Sequence, residues 1–147
     1  MREPYQIISI PYRIVNDTTL FCIFHRTNGD YWQFIAGGGE NNEKPIDTAL
    51  REIKEETGVT AEKLTELKSV AFVPAEVVAE NMRTHWDKNI FVIPEYSFAF
   101  ECSADPTLSR EHSEYKWLPY NDARKLLKWD SNKVAMYEIM CKLRNNE

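Results

Sequence analysis

No apolar run in the 147-residue chain approaches the roughly 20 residues that a membrane-spanning helix needs, which excludes insertion by that route. Cysteine is scarce. Cys22, Cys102 and Cys141 are odd in number, widely spaced and free of C-x-x-C pairing, so they read as reduced thiols packed as small apolar groups. A basic excess is also missing: the formal net charge of −5 argues against a nucleic acid polymer as partner, because neutralising many phosphates takes clustered Lys and Arg. It leaves open a small polyanion held through metal ions. No charged-then-apolar leader precedes the strand-like stretch after Met1-Arg2-Glu3-Pro4, so a cytoplasmic location with no membrane partner is expected. Repeats, low-complexity segments and linkers are lacking as well. The composition, 43% hydrophobic and 28% charged, predicts a single globular domain over 1–147, as a monomer or homodimer.

Tyr5 to Val15 and Thr19 to His25 are rich in Ile, Val, Tyr and Phe, and Asn16-Asp17-Thr18 between them favours a turn, which predicts a hairpin. A second turn at Thr27-Asn28-Gly29-Asp30 leads into Tyr31-Trp32-Gln33-Phe34-Ile35. Ile46, Ala49, Leu50 and Ile53 then recur at helical spacing between Pro45, suited to a first turn, and Gly58, suited to the position past the end. Leu67 to Val78, Ile90 to Cys102 and Glu114 to Leu118 read as further strands, with the polar stretch from Glu80 to Asn89 as a candidate binding loop. Tyr120 to Leu127 follows Pro119, and Ser131 is a candidate cap for a last helix to about Arg144. Its apolar face would comprise Met136, Ile139, Met140 and Leu143, widened by Val134, Tyr137 and Cys141. Strands around a central helix, with helices at the end, predict an α+β fold with a mixed β-sheet between α-helices.

Only five glycines are present, and Gly37, Gly38, Gly39 and Gly58 bracket the central helix. Three in a row suggest a backbone path closed to other residues and a close approach to a ligand. Acids crowd the same segment: Glu40, Glu43, Asp47, Glu52, Glu55 and Glu56. Glu52, Glu55 and Glu56 project from neighbouring parts of one helical face, with Cβ atoms about 5 to 6 Å apart. Crowded carboxylates repel and raise one another's pKa, and divalent cations such as Mg²⁺ relieve that crowding through hard oxygen coordination. A solvated face with Arg51 and Lys54 as local ion partners is the alternative reading of the helix taken alone.

The order and spacing of the segment decide between the two. Gly37 is followed after five residues by Glu43, then after seven by Arg51-Glu52-Ile53-Lys54-Glu55-Glu56-Thr57-Gly58-Val59, which resembles the Nudix box at every defining position. No G-x-x-x-x-G-K-[ST] sequence is present, so the glycine run is not a Walker-type loop. The resemblance implies the Nudix fold and metal-dependent hydrolysis of a phosphoanhydride bond, with Mg²⁺ as cofactor and Mn²⁺ as substitute. It makes Glu52, Glu55 and Glu56 the metal ligands, aided by a backbone carbonyl near Ala36 or Gly37, with Glu43 and Arg51 orienting the carboxylates. The chain departs from the family's usual flanks at Asn42, commonly Gly, and at Ala36, commonly Pro; neither change removes a carboxylate.

Beyond the box, Trp32-Gln33, Glu111-His112, Tyr115-Lys116-Trp117-Leu118 and Trp129 with Ser131-Asn132 resemble the dihydroneopterin triphosphate pyrophosphatases of this family. That resemblance implies Glu111 as a further catalytic and metal-binding acid, with Glu114 as a nearby alternative. If a strand runs through both, they point to opposite sides. Arg26, Trp32, Phe34 and Gly38 are candidate substrate contacts, the aromatics through stacking on a flat heterocycle. His112 is expected to be structural. The small-molecule substrate would be dihydroneopterin triphosphate or a nucleoside triphosphate; a dinucleoside polyphosphate, ADP-ribose, or binding without chemistry are the alternatives.

Overall fold

The computed structural model describes residues 1–145. Strand β1 (Arg2–Val15) turns at Asn16 and Asp17, both with positive φ, into β2 (Thr18–Arg26), forming the expected hairpin. β3 (Trp32–Gln33) and β4 (Ile35–Glu40) precede helix α1 (Pro45–Thr57), after which come β5 (Thr65–Pro74), β6 (Val92–Glu101) and β7 (His112–Pro119). Helices α2 (Tyr120–Leu126) and α3 (Asp130–Asn145) end the described chain. The strands form one seven-stranded mixed sheet with the order β3-β2-β1-β6-β5, in which β4 adds to β1 and β7 to β2. Among the described strands, β1 and β6 run parallel and the other strand pairings are antiparallel.

Both faces of the sheet are covered, and the alternation of β1 shows how. Ile7 packs with Ala49 of α1 and with Phe98, whereas Ile8 and Ile10 face the α2 and α3 side with Phe21, Phe34 and Met136. A third cluster, with Phe24, Ile35, Ile53 and Phe100, continues the α1 layer. This is the expected α+β sandwich. α1 begins with Pro45 and stops at Gly58, whose φ of 74° closes the helix as Gly58 N–H donates to the Lys54 carbonyl at 2.9 Å.

Several expectations are corrected. β5 ends at Pro74, because Ala75–Val77 form a 3₁₀ turn that packs Ala75 and Val78 against Ile93. The Glu80 to Asn89 stretch is tied down, with the Trp86 indole N–H donating to the Arg2 carbonyl at 2.8 Å and Arg83 Nε to the Val78 carbonyl at 2.9 Å. Ser131 lies inside α3, not at its cap. Val134 and Tyr137 are 57% and 59% exposed, because the face that meets the sheet runs through Asn132, Ala135, Met136 and Ile139. Asn132 belongs there because its Oδ1 accepts the Phe34 N–H at 2.9 Å. The three cysteines are free thiols, with Cys22 and Cys102 buried.

Candidate active site

The acidic residues of α1 are organised by one arginine. Arg51 Nε and Nη2 donate to the two carboxylate oxygens of Glu43 at 2.8 and 2.9 Å. Nη2 also reaches the Gly38 carbonyl at 2.9 Å, and Nη1 reaches Glu52 at 2.9 Å and Glu55 at 3.2 Å. Every N–H of the guanidinium is therefore used, a geometry lysine cannot copy. Glu43 accepts in addition from the Glu40 amide at 2.9 Å and from the Thr48 hydroxyl at 3.0 Å. The Arg51 bonds hold its carboxyl down, at about 2. The turn that delivers Glu43 contains Asn41 and Asn42 at φ 51° and 64°, so Asn42 does adopt the left-handed geometry that its side chain tolerates.

Gly37, Gly38 and Gly39 lie in β4 without positive φ, which corrects the expected special backbone path. Their requirement is space for three side chains. A Cβ on Gly37 would sit 2.2 Å from Glu52 Cδ, one on Gly38 1.8 Å from Arg2 Cζ, and one on Gly39 2.2 Å from Tyr5 Cζ. With its carbonyl taken by Arg51 and its other face by Arg2, Gly38 presents an occupied surface instead of an open approach.

Glu56 is 2% exposed, and among the described residues neither of its carboxylate oxygens has a hydrogen-bond partner. Burial, then the adjacent carboxylates of Glu111 and Glu52, push its pKa up to about 11, against the weaker pull of the Ala36 amide. Burial likewise pushes Glu52 up to about 7, opposed by Arg51 and reinforced by Glu55 and Glu111. Two ionised carboxylates have no proton to share, so Glu56 facing Glu111 needs either a proton or a cation. The donor set is all hard oxygen, which fits a divalent ion such as Mg²⁺. Among the described residues no three carboxyl or imidazole groups yet form a closed cage, since Glu52 and Glu55 are turned toward Arg51.

Glu111 lies just before β7 and forms an ion pair with Arg26 at 3.6 Å. A bulge between the His25 to Glu114 and Arg26 to His112 pairs breaks the simple alternation. Glu111 is the acid that acts on Glu56 and Glu52, and Glu114 is absent from those influences. His112 is 3% exposed, burial depresses its pKa to about 4, and its Nε2 faces the Gln33 amide nitrogen at 3.3 Å. It is a neutral, packed imidazole.

A cavity of about 620 Å³ opens beside this cluster, with Arg26, Tyr31, Gln33, Ala36, Glu95 and Trp129 in its wall. Ala36 and Arg26 join it to Glu56 and Glu111. Tyr31 and Trp129 stand edge to face at 5.5 Å, with Lys128 Nζ 4.5 and 4.7 Å from the two rings. Phe34 cannot stack on a ligand: it is fully buried in the core on the α2 and α3 side. Trp32 leans on that same core, with Lys116 Nζ 5.1 Å from its ring, and lies outside the cavity wall. The aromatic wall therefore comes from Tyr31, Phe72 and Trp129, which sequence reasoning had not assigned to the site. The parity of the short β3 segment was the available signal. Arg2 was missed without any signal: its guanidinium lies over Gly38 and, among the described residues, makes no ion pair.

The NUDIX domain profile matches residues 12–138. Curated relatives include the dihydroneopterin triphosphate diphosphatase of Escherichia coli K12, 30% identical over 146 residues and covering 95% of this chain and 93% of the relative. The asymmetrical bis(5'-nucleosyl)-tetraphosphatase of Sus scrofa is 28% identical over 127 residues, covering 86% and 82%. Among solved structures, one from Listeria monocytogenes described as a NUDIX hydrolase superposes with a TM-score of 0.83 at 42% identity, covering 98% of this chain and 97% of the other. The profile runs from the end of β1 through the carboxylate helix into the first half of α3, so this chain belongs to the NUDIX family and is a hydrolase of phosphoanhydride bonds.

Proposed function

We propose that this chain is a cytoplasmic, Mg²⁺-dependent pyrophosphohydrolase, a single domain over 1–147, that cleaves the triphosphate of a flat heterocyclic substrate of the dihydroneopterin triphosphate kind and releases pyrophosphate. The observation that carries this reading is the buried Glu56 carboxylate, without a hydrogen-bond partner among the described residues, beside Ala36 in the wall of an aromatic-walled cavity. Glu52, Glu55, Glu56 and Glu111 would hold the divalent ion, with Mn²⁺ as a substitute of similar oxygen preference. When bound, such an ion neutralises phosphate charge and lowers the pKa of a water molecule.

The remaining work belongs to side chains. Arg51 keeps Glu52 and Glu55 oriented, and Glu43 keeps Arg51 in place. Glu111, 49% exposed at its side chain, would act either as a ligand to that ion or as the base that accepts the proton of the attacking water. Arg26, at the junction of cavity and acids, and Arg2 over Gly38 reach phosphate oxygens. Tyr31 and Trp129 offer aromatic faces to the heterocycle.

The similarity to the Sus scrofa enzyme favours one second reading, hydrolysis of a dinucleoside polyphosphate. Product analysis decides. Incubation with dihydroneopterin triphosphate and Mg²⁺ is expected to yield pyrophosphate, and EDTA should abolish it. Asymmetric cleavage of diadenosine tetraphosphate at higher kcat/KM would replace the first reading with the second. Saturable binding without product on any phosphoanhydride would make the chain a binding module and refute both.

A further inference from the structure

Glu95 is used by none of the chemistry above, yet it is the most unusual side chain in the cavity wall. It lies on β6, a central strand, and is 6% exposed. Gln6, its register partner on the parallel β1, donates to Oε2, and Oε1 is buried without a partner among the described residues. A buried acceptor left unpaired is costly, the more so when ionised, so an unpaired carboxylate oxygen in a cavity wall marks a place where a donor arrives from outside. Its surroundings narrow the kind of donor. The cavity has aromatic edges at Tyr31 and Trp129, which suit a planar ring, and Glu95 and Gln6 share its wall.

The sheet register sets the reach. Gln6 pairs with Glu95 on one side and with Gly38 on the other, so Glu95 is two strand spacings, about 10 Å, from the strand that carries Ala36 and Gly38. That strand borders the acid cluster, since Ala36 abuts Glu56 and Gly38 binds Arg51. A ring whose far edge meets Glu95 can therefore extend its phosphates along the cavity toward Arg26 and Ala36, which border the acid cluster.

Resting on the function proposed above, we propose that Glu95 is the specificity-determining residue of this cavity, reading a heterocycle edge that presents two adjacent donors, a ring N–H beside an exocyclic amino group, as in guanine and the pterins. The unpartnered Oε1 takes one donor, and the free lone pair of Oε2 takes the other, while Gln6 keeps the carboxylate in place. An adenine edge offers one amino group beside a ring nitrogen that is an acceptor. That nitrogen would face a carboxylate oxygen, acceptor against acceptor, and would leave Glu95 desolvated and unmatched.

The test measures kcat/KM for guanosine, inosine and adenosine triphosphates with Mg²⁺, for the wild type, Glu95→Gln and Glu95→Ala. Wild type should prefer guanosine over adenosine by about 10²-fold, with inosine, which keeps the ring N–H but lacks the amino group, between them. A Gln side chain both donates and accepts, so Glu95→Gln should reverse the order toward adenosine, whereas Glu95→Ala should abolish discrimination. A wild-type ratio within about threefold, or a loss shared equally by all three substrates in both variants, overturns the assignment. If no triphosphate is cleaved, the hydrolytic reading fails separately, and calorimetric binding of guanosine and adenosine 5'-monophosphates to the wild type decides this one: guanosine should bind at least tenfold tighter, and equal affinities refute it.

Discussion

Replacing Glu43 with Gln preserves volume but breaks the anchor of the whole acidic helix. Arg51 places two N–H groups on the two carboxylate oxygens at 2.8 and 2.9 Å; an amide can accept only one of them and turns a donor toward the other. A carboxyl lowered from the ordinary 4.5 to about 2 carries roughly 3 kcal/mol of differential interaction as a ceiling. The Glu43 and Arg51 side chains are 21% and 25% exposed, so solvent screening reduces the expected loss to about 2 kcal/mol. Because the folded-state pKa is depressed, this contribution is complete above pH 4.5 and is lost as pH falls toward about 2. Urea unfolding in EDTA should thus show the variant less stable by about 2 kcal/mol at pH 7, with the gap narrowing steadily below pH 4.5 and an unchanged m-value. A gap of equal size at pH 7 and pH 3 would mean that the ion pair is not its source, and no gap at pH 7 would refute the anchoring argument. In the presence of Mg²⁺, kcat should fall as well, since Glu52 and Glu55 take their orientation from the same guanidinium.

Glu56→Gln replaces a buried carboxyl whose charged form is disfavoured without metal by a neutral side chain of the same shape, so turnover should drop by orders of magnitude while the thermal midpoint in EDTA holds or rises; a large loss of stability would contradict the unpaired state seen here. Glu111→Gln should lower the single-turnover rate at saturating Mg²⁺ by about 10² or more, whereas Glu114→Gln stays near wild type, and the reverse pattern would transfer the role. Gly37→Ala should displace Glu52, whose Cδ lies 2.2 Å from the added Cβ, and the resulting loss of rate should exceed any loss of stability measured by urea. Trp129→Ala, which opens the aromatic wall, should raise KM at least tenfold with little change in kcat, and an unchanged KM would remove Trp129 from the binding surface.

Local chemistry was enough to determine much of this protein. Pro45 and Gly58 delimit α1 because their backbone constraints act on themselves, and Asn16-Asp17 and Asn41-Asn42 turn the chain because those residues tolerate positive φ. The spacing of Glu52, Glu55 and Glu56 on one helical face is likewise a property of the helix alone. What lay outside the sequence's reach depended on which distant groups meet. The glycines of β4 read as conformational specialists, but they are small because Glu52, Arg2 and Tyr5 cross the sheet there. Phe34 and Trp32 read as stacking candidates, and only the docking of α2 and α3 directs them to the core and leaves Tyr31 with Trp129 at the cavity. Glu95 resembles any strand glutamate until the pairing of β1 with β6 buries it beside Gln6. Dihedral preference and helical period act within a few residues and can be read along the chain, whereas burial and carboxylate pKa are set by neighbours that arrive from tens of residues away.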